Sequence, residues 1–201
     1  MKNFFVNRNQ KKENKKIIIV SGLPRSGTSM MMRMLTESGL SAVVDSVRQA
    51  DEDNPNGYFE IESSKSLKDG DKKWLYNAQG KVVKVISYLL EFLPDDLSYD
   101  IIFMEREISE VLASQRKMLQ RRNEPSVLSD AEMEAQFREH LRAVKYWIAR
   151  KTNMRILFVK YSEMVEAPEI LCKSIVDFLE TPLDLKSMQS VPSQSLYRNR
   201  S

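Results

Sequence analysis

Cysteine and histidine are nearly absent from this chain: its 201 residues hold one of each. A single cysteine excludes an internal disulfide and any multi-cysteine metal site. Cys172 falls in an apolar helical stretch, where a packed thiol is expected rather than a nucleophile. No apolar run approaches the twenty or so residues of a membrane span. The start, Met1 to Val6, runs into Asn and Lys without a long apolar segment, so no secretory signal is read and a reducing cytosol is the expected compartment. Neither sign of charge dominates. Lys and Arg number 31 and Asp and Glu 28, a net of +3 that does not describe a polybasic nucleic-acid binder. Oligomeric state leaves no mark on the sequence. What is present is ordinary for one α/β domain with a real core: 42% hydrophobic and 29% charged residues.

The most specific stretch is Ile17-Ile18-Ile19-Val20-Ser21-Gly22-Leu23-Pro24-Arg25-Ser26-Gly27-Thr28-Ser29. It reads as a buried strand, a tight turn and the opening of a helix. That order aims a row of backbone N–H groups at one point, which is how a chain holds phosphate. Gly22, Gly27 and Ser29 fit the nucleotide-triphosphate loop G-x-x-x-x-G-K-[ST], but Thr28 stands where the lysine belongs. The positive charge sits inside the turn instead, at Arg25. A phosphate-like anion other than ATP is therefore expected.

Residues 1–15 are a polar, lysine-rich arm with no apolar period, expected to be flexible, and residues 16–201 form the single domain. The first strand is expected over Lys16 to Ser21, apolar on both faces as a central parallel strand should be. A helix follows from Gly27 to Ser38, stopped by Gly39 at C′. Leu40 to Glu62 is an irregular charged connection, a natural place for a substrate pocket. Tyr58 to Glu62 either alternates or begins a helix. Further strands are expected at Lys81–Ile86, Tyr99–Glu105 and Arg155–Tyr161, and helices at Ser109–Gln120, from Ser129 onward, and at Ala167–Leu179 with Pro168 in its first turn. Ser129 and Glu132 match the S-x-x-E capping box, and Met133, Phe137, Leu141, Val144 and Ile148 make a core-facing stripe. Alternating strands and helices imply a three-layer α/β/α fold with a central parallel sheet, of the P-loop nucleotide-binding kind. Ligands bind beyond the carboxyl ends of such strands. The Gly22–Ser29 loop, Ser87, Arg106 and Tyr161 all fall there.

Pro24-Arg25-Ser26-Gly27-Thr28-Ser29 resembles the 5′-phosphosulfate loop of sulfotransferases that use 3′-phosphoadenosine 5′-phosphosulfate (PAPS). Cytosolic members carry lysine at the Arg25 position, whereas protein-tyrosine and many bacterial members carry arginine. Phe103-Met104-Glu105-Arg106, with Ser114 eight positions after the arginine, is similar to the family's 3′-phosphate motif. Tyr161 stands where sulfotransferases place a tyrosine near adenine. Arg198, in Ser195-Leu196-Tyr197-Arg198-Asn199-Arg200, either plays the part of the basic element that closes over the 3′-phosphate or belongs to a basic tail. The resemblance runs from Lys16 to at least Leu179. Two departures stand out. The family's catalytic histidine, just after the strand matching Lys81–Ile86, has Ser87 as its nearest counterpart, and the chain is short for the family.

The resemblance implies transfer of a sulfuryl group from PAPS to a hydroxyl acceptor of small-molecule or peptide kind. Arg25 would stabilise the leaving phosphate. Backbone and hydroxyl groups from Pro24 to Ser29 would hold the 5′-phosphate, and Arg106 with Ser114 the 3′-phosphate. The scheme calls for no metal. The base is expected to be Glu60, with Asp51 and Glu62 behind it, because protein-tyrosine and some bacterial members use a glutamate from this region; His140 is expected on a helix surface, and Lys84 either adds positive potential or is a strand-edge charge. Two rivals stand beside this reading: a nucleotide kinase or other ATP-using phosphotransferase, and a non-catalytic protein that binds PAPS or its product 3′-phosphoadenosine 5′-phosphate (PAP).

Overall fold

The computed structural model describes residues 15–44, 59 and 61–192. Four strands form one parallel sheet: β1 (Ile17–Gly22), β2 (Val82–Lys84), β3 (Tyr99–Glu105) and β4 (Met154–Lys160), in the order β2-β1-β3-β4. All six residues of β1 are buried, as the doubly apolar pattern requires of a strand paired on both edges. The register sets Ile17 beside Tyr99 and Tyr99 beside Met154, so the carboxyl ends of β1, β3 and β4 share an edge.

The two-residue period of the strands divides the core. Ile18, Val20, Ile102, Met104 and Val159 face one layer, built from α1 (Thr28–Glu37), α5 (Tyr161–Glu166), α6 (Pro168–Leu179) and α7 (Leu185–Ser190). Ile17, Ile19, Ile101 and Phe103 face the other, where Val144 and Ile148 of α4 (Asp130–Ile148) pack with Leu75 and Leu90 from two 3₁₀ turns, Lys73–Ala78 and Ser87–Phe92. The helix α3 (Ile108–Arg121) leans on α4, and Leu23 joins Val111, Leu112 and Phe137 in a third apolar cluster. The short helix α2 (Glu62–Lys65) settles the ambiguous Tyr58–Glu62 stretch in part, since Glu62 begins it.

Local signals fixed several ends. Gly39, at φ 111°, terminates α1 just past its C-cap Ser38. Ser129 and Glu132 form the reciprocal capping box of α4. Pro168 opens α6. Other expectations need correction. Only Val82–Lys84 pairs as a strand, because the chain turns into a 3₁₀ segment at Ser87. Tyr161 is the first residue of α5, not the last of β4.

At the amino edge of the sheet, buried Asp100 receives both Nε (2.7 Å) and Nη2 (2.8 Å) of Arg155, which also reaches Glu180 and the carbonyl of Phe178. This bidentate fork ties the end of α6 to β3 and β4, on the side opposite the loop.

Candidate active site

The turn between β1 and α1 is drawn tight by a bond from Ser26 N–H to the Leu23 carbonyl, 3.1 Å. Arg25 sits at φ 71°, left-handed backbone that a non-glycine residue adopts at a cost of about 1–3 kcal/mol. Gly27, at φ 101°, is the N-cap of α1 and offers no side-chain cap to the helix N–H groups. Those first-turn donors have no carbonyl one turn back to bind. A Cβ on Gly27 would drive into the ring of Tyr161, 2.9 Å from Cε2 and nearer still to Cδ2. Glycine is thus required twice over, by conformation and by contact.

The structure brings the two motifs together. Arg25 Nε donates to Ser114 Oγ at 2.9 Å, and Arg106 Nη1 donates to the Arg25 carbonyl at 3.2 Å. The expectation assigned Arg25 to one end of a ligand and Arg106 with Ser114 to the other. Here they adjoin, because the left-handed turn carries the Arg25 side chain to α3. Arg106 is itself anchored: its Nε donates to the buried Glu110 carboxylate at 2.8 Å, and its guanidinium lies 4.4 Å above the Tyr161 ring. Tyr161 is 6% exposed, and burial raises its phenol above the ordinary value while Arg106 pulls it back. In this arrangement the ring braces Gly27 and Arg106.

Lys84, at the end of β2, is 7% exposed and donates from Nζ to Ser29 Oγ at 3.1 Å. It is a loop-facing cation and not a strand-edge charge. Three cations, Arg25, Lys84 and Arg106, therefore converge on a helix start with Glu110 as their buried counter-charge. The Ser26 hydroxyl is buried without a hydrogen-bond partner among the described residues. It borders a cavity of about 230 Å³ that Leu23, Phe103, Arg106 and Glu110 also line. Pro24 is exposed at the rim, and Thr28 is buried. A polyanion fits this donor set better than a neutral ligand.

Glu60, Asp51 and Arg198 lie outside the described residues, and Glu62 is exposed on α2. His140 corrects its expectation. It is half-buried, its Nε2 lies 2.9 Å from Ser87 Oγ, and its ring stacks on Tyr88 with centroids 3.6 Å apart and planes at 12°. Burial holds the imidazole below its ordinary value, so it is neutral near pH 7. The signal was available: His140 lies three residues after Phe137 and four before Val144, on the edge of the stripe that faces the core.

The profile of the family described as the sulfotransferase domain matches residues 15–201. No protein with a curated description matches in sequence. Among solved structures, the sulfotransferase domain of the Synechococcus PCC 7002 olefin synthase superimposes with a TM-score of 0.54 at 16% identity, over 96% of this chain and 86% of that one. The sulfotransferase domain from the curacin biosynthetic pathway gives 0.53 at 14%, over 87% and 76%. Mouse sulfotransferase SULT7A1, solved with PAP, gives 0.53 at 18%, over 94% and 67%. Identities this low establish a shared fold.

Proposed function

This chain belongs to the sulfotransferase family, and from that membership we infer that its sulfuryl donor is PAPS and its acceptor a hydroxyl. It is a transferase. The residues present fit the donor: an uncapped helix start, a buried unpartnered hydroxyl at Ser26, and three cations gathered beside them. The backbone N–H groups of Ser26 to Ser29, with the hydroxyls of Thr28 and Ser29, hold the 5′-phosphate. Arg106 and Ser114 hold the 3′-phosphate, and Pro24 and Tyr161 shape the surround. Arg25 moves its guanidinium from Ser114 to the bridging oxygen as negative charge builds there, and Lys84 adds to the field. Positioning and charge stabilisation carry most of such a transfer, as they do in phosphoryl transfer.

The observation that carries this reading is the pair of bonds joining Arg25 to Ser114 and Arg106 to the Arg25 carbonyl. A kinase would need a lysine at Thr28 and an acidic strand end for magnesium where Arg106 stands. Calorimetry with PAP and with ATP–Mg²⁺ tests this: PAP binds and ATP–Mg²⁺ binds at least tenfold more weakly. Labelled sulfate from PAPS then transfers to members of an acceptor set spanning phenols, sugars and peptides. Tight PAP binding with no transfer to any acceptor supports the non-catalytic rival, and preference for ATP–Mg²⁺ the kinase.

A further inference from the structure

Beyond the donor loop, the contact between Ser87 and His140 has no part in the reading above. Val85 N–H donates to the Val20 carbonyl, and Lys84 pairs in register with Val20. The chain two residues on, at Ser87, therefore stands level with the start of the Leu23–Gly27 turn, one strand away from it. Ser87 is 2% exposed. His140 reaches its hydroxyl from α4, a helix held against Leu23 by Phe137 and Leu141 and against α3, which carries Ser114. An imidazole thus arrives at the carboxyl edge of the sheet from the helical layer.

We propose that His140 is the general base of the transfer, with Ser87 and Tyr88 as its positioning residues; this rests on the sulfuryl-transfer reading above. Ser87 Oγ lies 2.9 Å from Nε2; in the tautomer this assignment requires, it accepts the Nε2–H and leaves the Nδ1 lone pair as the basic site. The stack on Tyr88 fixes the ring plane. As the acceptor oxygen bonds to sulfur, its proton passes to Nδ1. The bond from sulfur to the bridging oxygen breaks, and its electron pair stays on that oxygen, now part of the PAP 5′-phosphate. The products are a sulfate ester and an imidazolium, which returns its proton to solvent. The groups around the ring leave it neutral and able to act. Tyr88 on the 3₁₀ turn is a phenol raised by burial, and Gln136, Phe137, Ala143 and Val144 one turn away on α4 carry no titratable group.

Because the chain has one histidine, its ¹⁵N-labelled form shows a single imidazole. The Nε2–H tautomer is expected near neutral pH, and the Nδ1–H tautomer overturns the assignment. In transfer assays with PAPS, His140→Gln keeps PAP affinity within about twofold and lowers kcat about 10²- to 10³-fold, with little change in acceptor KM. Imidazole added to His140→Ala restores part of the lost rate, which a merely structural histidine would not allow. Ser87→Ala lowers kcat about tenfold. If Glu60→Gln abolishes turnover while His140→Gln transfers within threefold of the unaltered chain, the base is Glu60 and the proposal falls. Failure of the unaltered chain to bind PAP overturns the donor reading itself, and the assignment with it.

Discussion

Arg25 concentrates the backbone cost of the β1–α1 turn, and its proposed role in the transfer, in one residue. Its left-handed φ is backbone strain, and the strain delivers a guanidinium to Ser114. Arg25→Ala should lower kcat about 10²- to 10³-fold, the scale of one lost charge-stabilising donor, with the melting temperature little changed. Near-normal turnover would remove Arg25 from the mechanism. Gly27→Ala should abolish PAP binding and destabilise the chain by at least about 2 kcal/mol, since a Cβ strains the backbone and strikes Tyr161. Retained PAP affinity in calorimetry would contradict this. At this scale the sequence was legible wherever a residue's placement depends on its neighbours in the chain: Gly27 at the left-handed start of α1, Thr28 as its first residue, Arg106 just past the end of β3. It was illegible where a role depends on a partner far along the chain. Lys84 and Ser29 are 55 positions apart, and Ser87 and His140 are 53 apart, so no local pattern joins them.

The elements follow the same division. β3 and the capped start of α4 coincide with expectation because period and cap are local physics. The 3₁₀ turns Lys73–Ala78 and Ser87–Phe92 were not foreseen, because six residues without a sustained period give no moment to read. The position of α4 matters to the proposed site, since it carries His140 and packs Phe137 on Leu23. Ser129→Ala removes half of its capping box and should cost about 1 kcal/mol, lowering the melting temperature by about 2–4 °C. Glu132 is held below the usual carboxylate range by the Ser129 hydroxyl and backbone. Its contribution is therefore present above the ordinary glutamate pKa and lost as pH falls through the depressed value. Scanning calorimetry at neutral and acid pH checks both: the Ser129→Ala deficit should shrink in acid, and a constant deficit would discount the box.

For the molecule as a whole, the Arg155–Asp100 fork and the proposed site lie at opposite edges of one sheet. Arg155→Ala leaves the buried Asp100 carboxylate with Lys16, at 3.3 Å, as its one remaining ion-pair partner among the described residues, and should cost about 3 kcal/mol in denaturant unfolding with PAP affinity intact. Loss of PAP affinity in that variant would mean the edges are coupled. Burial pushes the Cys172 thiol up to about 11 from 9.0. A raised pKa means the unfolded chain ionises first, so stability is lost as pH climbs from 9 to about 11, on the order of 2 kcal/mol. Cys172→Ala should flatten that slope, and parallel slopes would show that other groups cause it. The sequence by itself determined the three-layer fold, the glycine-bounded turn between β1 and α1 and the strand-end arginine, because period, glycine placement and capping act over a few residues. Only the tertiary structure decided that Arg25 and Ser114 touch, that Lys84 faces the loop and that His140 meets Ser87. Those contacts arise from the parallel order of the strands and the docking of α3 and α4, which no short stretch of chain encodes.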